Sequence, residues 1–320
     1  MISVSSAFID ALITKHDNAI NRHTKNLKAA LTRLLLTPLE VEQRNYINAL
    51  KNIGKKLIVG TSDEIEQNKI LLDGLYKFKT VFVSEVEKSN QIKFKDNILS
   101  ALAYETRRSD FYPEYFRELG IKACVYCNSQ LCVTVEDHNG ALVAKFQVDH
   151  YISKSEYPCF SIALYNLYPV CSSCNNKKGI KNLMFLLYNN PSGTPKSNFG
   201  FELKDKDNTV AEYLANRDAK VISIEFKEPN SAAGESFNEI FAISGIYDTQ
   251  IDIVEELILK SHIYSGVYRE LIEDYMTSIY GTKDVLDRLL MGNYVEDSDI
   301  HKRPMAKFTQ DIAKQLGLIK

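Results

Sequence analysis

No apolar run in this 320-residue chain approaches the roughly 20 residues that cross a bilayer, so a membrane partner is not expected. The opening Met1-Ile2-Ser3-Val4-Ser5 lacks the basic patch and apolar stretch of a secretory signal, which points to a reducing, cytoplasmic setting. An excess of positive charge is also missing. The formal net charge is -2, which gives no global attraction to phosphate and excludes a protein that coats nucleic acid by electrostatics alone. Any contact with nucleic acid must be local. The sequence shows neither internal repeats nor low-complexity tracts. What remains is an ordinary globular composition, 45% hydrophobic and 25% charged, in a chain long enough for two or three packed units.

Apolar residues three or four apart predict helices through the first third. One runs from Phe8 to about Leu36, where Pro38 stops the pattern, and a second from about Leu39 to Val59. Gly60 followed by Thr61-Ser62-Asp63-Glu64 reads as a stop and then a capping box opening a third helix, to about Val86, and a fourth covers Lys95 to Thr106. Between Gln130 and Val148 the pattern changes to β-prone runs, Leu131–Val135 and Leu142–Val148, separated by Asn139-Gly140, a strong hairpin signal. Asn189 to Asn208 reads as a loop or domain joint, Val221 to Phe226 as a strand, Glu228 to Glu235 as a polar turn, and Gln250 to Ile279 as helical. The expected class is α+β and mainly helical: an N-terminal helical region (1–117), a central unit (118–190) and a C-terminal mixed region (191–320).

Six cysteines in a reducing compartment suggest metal before disulfides. Cys124-Val125-Tyr126-Cys127 and Cys171-Ser172-Ser173-Cys174 are two C-x-x-C knuckles, a pattern that lets four thiolates close a tetrahedron around Zn²⁺. With every position filled by sulfur, that ion has no site for water or substrate, so its role is structural and any chemistry lies beside it. Cys132 and Cys159 belong to neither knuckle and read as free thiols. His16, His23, His262 and His301 lack metal-ligand spacing and read as ordinary side chains.

Beside the knuckles stand Val148-Asp149-His150, then Asn166-Leu167-Tyr168-Pro169-Val170, then Cys174-Asn175-Asn176-Lys177-Lys178-Gly179. With both knuckles these form, in order, C-x-x-C, Asp-His, Asn-Leu-x-Pro and C-x-x-C-N-x-x-K-G. From about Lys122 to Lys181 the chain resembles the HNH endonuclease family in its zinc-bound form. The resemblance implies a ββα-metal finger with a four-cysteine zinc knuckle, flanked by the N-terminal helical bundle and the C-terminal mixed region. It implies that Asp149 and Asn175 ligate one divalent cation, that His150 is the general base, and that Asn166 orients the histidine loop. Asn175 stands where many members have histidine, and oxygen ligands favour Mg²⁺ or Mn²⁺. Products would carry 5′-phosphate and 3′-hydroxyl ends, and a chelator would stop the reaction. Lys178 matches the family lysine and, with Lys177, Lys181 and Lys154, is a candidate phosphate contact.

Asp137-His138 is a second Asp-His pair, assigned to the hairpin turn by its Asn-Gly neighbour. DNA is the expected substrate, RNA being served by the same chemistry in an RNA-cleaving toxin. The overall layout, the loop Ser153 to Pro158 and the stretch Ile246 to Lys260 are also similar to HNH subunits of bacterial antiphage defence systems, Septu and retron-associated ones, in which an ATPase holds the nuclease. The contrasting class is a non-catalytic zinc module that binds protein or nucleic acid. Asp149, His150, Asn166 and Asn175 together speak against it, since a purely structural knuckle has no need of them.

Overall fold

Apolar spacing does make helices in the first third, in shorter pieces than the periodicity suggests. The computed structural model describes residues 4–79, 81–181, 183, 185–188, 197–228, 236–281 and 284–319. In place of one helix from Phe8 to Leu36 there are α1 (Ser6–Lys15) and α2 (Asp17–Leu34), broken at His16, whose ψ of 15° leaves the helical range. His16 Nε2 lies 2.6 Å from Glu118 Oε2. The expected second helix is α3 (Val41–Ile53) and α4 (Lys56–Val59), divided at Gly54, whose φ of +56° glycine adopts without strain. Thr61 and Glu64 do form a reciprocal capping box, which opens α5 (Ser62–Asp73); that helix ends before Gly74, well short of Val86. Ser84 caps α6 (Glu85–Ala101), and α7 (Tyr104–Asp110) and α8 (Tyr112–Leu119) follow. The helix expected over Lys95 to Thr106 is therefore interrupted, with Ala103 at φ +53°.

In the middle, the Asn139-Gly140 turn joins β1 (Thr134–Glu136) to β2 (Leu142–Ala144) in antiparallel register, Thr134 opposite Ala144. The run Leu142–Val148 serves two sheets rather than one. Beyond Ala144 the chain leaves the hairpin as β3 (Gln147–His150), which pairs antiparallel with β4 (Leu167–Val170), His150 opposite Leu167 and Gln147 opposite Val170. Sequence pattern did not reveal β4, because Pro169 inside a short run argues against a strand. Its place opposite Val148 in a two-stranded sheet resolves the conflict. Then comes α9 (Ser172–Lys178), which contacts β3.

The last third contains β5 (Gly200–Leu203), α10 (Lys206–Asn216), β6 (Ile224–Lys227), α11 (Phe237–Phe241), α12 (Ile243–Asp248), α13 (Ile251–Ile263), α14 (Gly266–Tyr280), α15 (Asp284–Met291) and α16 (Ala306–Gln315). β5 pairs antiparallel with β6. Of the expected Asn189–Asn208 joint, 189–196 lie outside the described residues, and the remainder includes β5 and the start of α10. Most of the expected Glu228–Glu235 turn lies outside them as well. The expected 221–226 strand starts at Ile224, and the expected Gln250–Ile279 helix breaks at Tyr264–Ser265. The protein is mainly helical, with three two-stranded sheets among the described residues. Among the described residues, no helix is long and apolar enough to cross a membrane.

Both flanks close on the middle. From the N-terminal side, Tyr165 Oη donates to Asp10 at 2.8 Å and Tyr157 Oη to Asp73 at 2.9 Å. From the C-terminal side, Tyr247 Oη donates to the Cys127 carbonyl at 2.8 Å, and the Tyr126 ring stacks on Phe241 at 4.9 Å. Asn128 is the fastening point. Fully buried at φ +54°, it donates through Nδ2 to Ile300 O at 3.1 Å, and its Oδ1 accepts from Lys307 N at 3.1 Å. An alanine in its place loses both buried bonds and keeps the left-handed backbone strain. Asn128→Ala is expected to destabilise the chain by about 2–4 kcal/mol in urea unfolding, and Asn128→Gly by less, since glycine relieves the backbone but not the orphaned groups.

Candidate functional site

Two knuckles far apart in sequence meet because β4 ends at the second and its backbone holds the first. Val125 N donates to Pro169 O at 3.3 Å, and α9 begins immediately after Cys171. The sulfur atoms of Cys124, Cys127, Cys171 and Cys174 all lie within 4.8 Å of one another, and the four can hold a metal ion. Cys124, Cys127 and Cys174 are buried and Cys171 is half-buried. Two of these sulfurs accept hydrogen bonds that favour thiolate: Cys127 Sγ from Ser129 Oγ at 3.1 Å, and Cys124 Sγ from Cys171 N at 3.3 Å. Among the thiols themselves, hydrogen bonds from the other three sulfurs, Cys124 first, push Cys127 down. Burial pushes Cys124 up to about 12, and hydrogen bonding to Cys124 raises Cys171 and Cys174. A divalent cation lets all four ionise, since metal ligation requires the thiolate form. Cys132 and Cys159 are buried free thiols outside the cluster.

Asp149 and His150 end β3 with both side chains buried. The Asp149 carboxylate accepts from Tyr126 Oη at 2.5 Å and pairs with Lys178 Nζ at 3.1 Å. Burial and the Asp149 charge hold the Tyr126 hydroxyl well above its ordinary range, so it stays a donor. Lys178 Nζ also donates to the His150 carbonyl at 3.1 Å. At 2% exposure, its charge in this arrangement serves Asp149 rather than the surface, whereas Lys177 and Lys181 are exposed.

The His150 ring sits 3.0 Å, through Nε2, from the Ser161 carbonyl oxygen, with the Tyr104 ring 5.7 Å away. Burial pushes its pKa down to about 3, opposed by the Ser161 carbonyl and assisted by the charges of Lys154, Lys178 and Arg108. Lys154 Nζ donates to Tyr104 Oη at 3.0 Å and lies 4.5 Å over that ring. Asn166 is 1% exposed and braces the loop after His150: Oδ1 accepts from Ile152 N at 2.6 Å, and Nδ2 donates to Phe160 O at 3.0 Å and Ile152 O at 3.1 Å. Asn175, one helical turn before Lys178, donates through Nδ2 to Gln147 Oε1 at 2.6 Å. Asp149, His150 and Asn175 thus have separate partners, and Lys178 is what links the first two.

Asp137 Oδ1 accepts from Asn139 N and Ala141 N, at 2.8 and 2.9 Å, and His138 is exposed, so this pair stands in the hairpin turn as expected. Sequence reasoning missed Tyr126 and Tyr104. Tyr126 lies within the first knuckle, where only its cysteines carried a signal, and Tyr104 reaches His150 solely through the chain's long-range folding. Comparison of the chain with family models, with curated proteins and with solved structures found no match.

Removing Lys178 strands a buried carboxylate. Lys178→Met is expected to destabilise the fold by about 3–5 kcal/mol in chemical denaturation, and Asp149→Leu combined with Lys178→Met to recover most of that loss. Additive losses in the double variant would mean the two charges do not interact.

Proposed function

We propose that the chain is a divalent-cation-dependent nuclease of the HNH type that hydrolyses phosphodiester bonds in DNA. The observation that carries this reading is the buried imidazole of His150 facing the Ser161 carbonyl. Donation from Nε2–H to that oxygen fixes the tautomer and leaves Nδ1 as a lone pair, and burial keeps the ring uncharged. A neutral histidine with one nitrogen committed as donor has its other nitrogen to accept a proton from water, and burial and the surrounding positive charges weaken it as a base. Asn166 supports it by fixing the loop through Ile152 and Phe160. Lys154 and Arg108 add positive charge around His150, which favours the approach of a phosphate.

The β3–β4 hairpin with α9 against it is the part read as the ββα finger. Its four sulfurs suit structural Zn²⁺: a tetrahedron with Zn–S of about 2.3 Å puts sulfurs roughly 3.8 Å apart, compatible with the observed cluster. Asp149 and Asn175 offer the hard oxygen donors that Mg²⁺ or Mn²⁺ prefers. Such a cation supplies positive charge where the phosphate accumulates negative charge. Lys178 already neutralises Asp149, so cation and ammonium compete for one carboxylate. That pairing also favours a second reading, a zinc-stabilised binding module without catalysis. An antiphage role with an ATPase partner belongs to the first reading and rests on the resemblance in layout.

Incubated with supercoiled plasmid and Mg²⁺ or Mn²⁺, the chain is expected to nick or linearise DNA and to stop on chelation. His150→Ala should slow the reaction by about 10²–10⁴-fold. If wild type and His150→Ala are equally inert on DNA and on RNA, the nuclease reading fails and the binding module stands.

A further inference from the structure

Helix α14 contains no buried residue over its fifteen positions, yet it is rich in large apolar side chains. Its inner side attaches to the protein through half-buried Ile272 and Met276 and through Arg269, which bonds Glu273, Asp287 and the Leu318 carbonyl. The opposite side carries a second apolar face. Val267, Leu271, Tyr275 and Ile279 are 79%, 64%, 63% and 53% exposed, and Tyr268 beside them is 50% exposed. Four residues at i+4 spacing form one ridge along a helix, and such ridges pack into the grooves of another helix. Solitary exposed apolar residues need no explanation; a contiguous ridge three turns long does.

We propose that this ridge is a docking surface for a second copy of the chain, α14 against α14 in antiparallel orientation. Val267, Leu271, Tyr275 and Ile279 are apolar throughout and evenly spaced, so a two-fold axis between Leu271 and Tyr275 sets each against an apolar counterpart. Leu271 meets Tyr275 of the second copy, and Val267 meets its Ile279. Self-complementarity of this kind is what a closed two-fold dimer requires. The five residues expose roughly 500–600 Å² per copy, so the pair buries at most about 1,000–1,200 Å² of them, at the threshold of a specific interface. A membrane surface fits poorly: besides the engaged Arg269, the charges on α14 are acidic, Glu270, Glu273 and Asp274, the wrong sign for anionic lipid.

Sedimentation equilibrium of the full chain tests this without reference to activity. Wild type is expected to be a dimer at micromolar concentration, and Leu271→Glu to weaken association by about 100-fold or more, with an unchanged circular dichroism spectrum. Orientation is read from cysteine pairs: Val267→Cys mixed with Ile279→Cys should cross-link faster than either alone. A wild type monomeric at all concentrations, or a dimer that survives both Leu271→Glu and Tyr275→Glu, would overturn the proposal. So would preferential cross-linking of Val267→Cys to itself. A folded monomer that binds a different protein through this ridge counts against the dimer in the same way.

Discussion

Four sulfur atoms within 4.8 Å of one another are the constraint from which the site's geometry follows. The strand pairs involved are short, three or four residues each, and two-stranded sheets of that length have little independent stability. Four cysteines that can hold a metal ion bring the loop before β1, the end of β4 and the first turn of α9 to a common point. Backbone contacts then spread that constraint: the Cys127 carbonyl receives Tyr247, and Asn128, the next residue, fastens α16 and the turn before it. The helical flanks therefore brace a small unit through a shared apolar core and these polar contacts.

Electrostatics sets what that unit can do. Asp149 and Lys178 are both nearly excluded from water, and a buried carboxylate needs a compensating charge within hydrogen-bond reach. Lysine provides it in this arrangement, and a divalent cation provides it in the nuclease reading. His150 lies among positive charges in a dry environment, which keeps it neutral, and Asn166 holds the loop whose Ser161 carbonyl orients its ring.

Features encoded within a few residues were legible in the sequence. The capping box at Thr61 and Glu64, the Asn139-Gly140 turn with its Asp137 side-chain bonds, and each C-x-x-C knuckle by itself depend on local geometry. Asn166 bracing the loop after His150 was anticipated through the family resemblance. What was not legible depends on distant partners. β4 was hidden by Pro169, and Lys178, expected as a phosphate contact, is instead buried against Asp149. Tyr126 gains its meaning from Asp149, which folding alone brings within 2.5 Å. Periodicity also joined α13 to α14, because apolar spacing continues through the break at Tyr264 and Ser265. It could not distinguish the buried stripe of α13 from the exposed ridge of α14.

Zinc K-edge X-ray absorption on the purified chain addresses the central constraint most directly. One zinc per chain, surrounded by four sulfurs at about 2.3 Å, is the result this account predicts. A chain that folds without zinc, or a shell containing nitrogen or oxygen in place of sulfur, would contradict it.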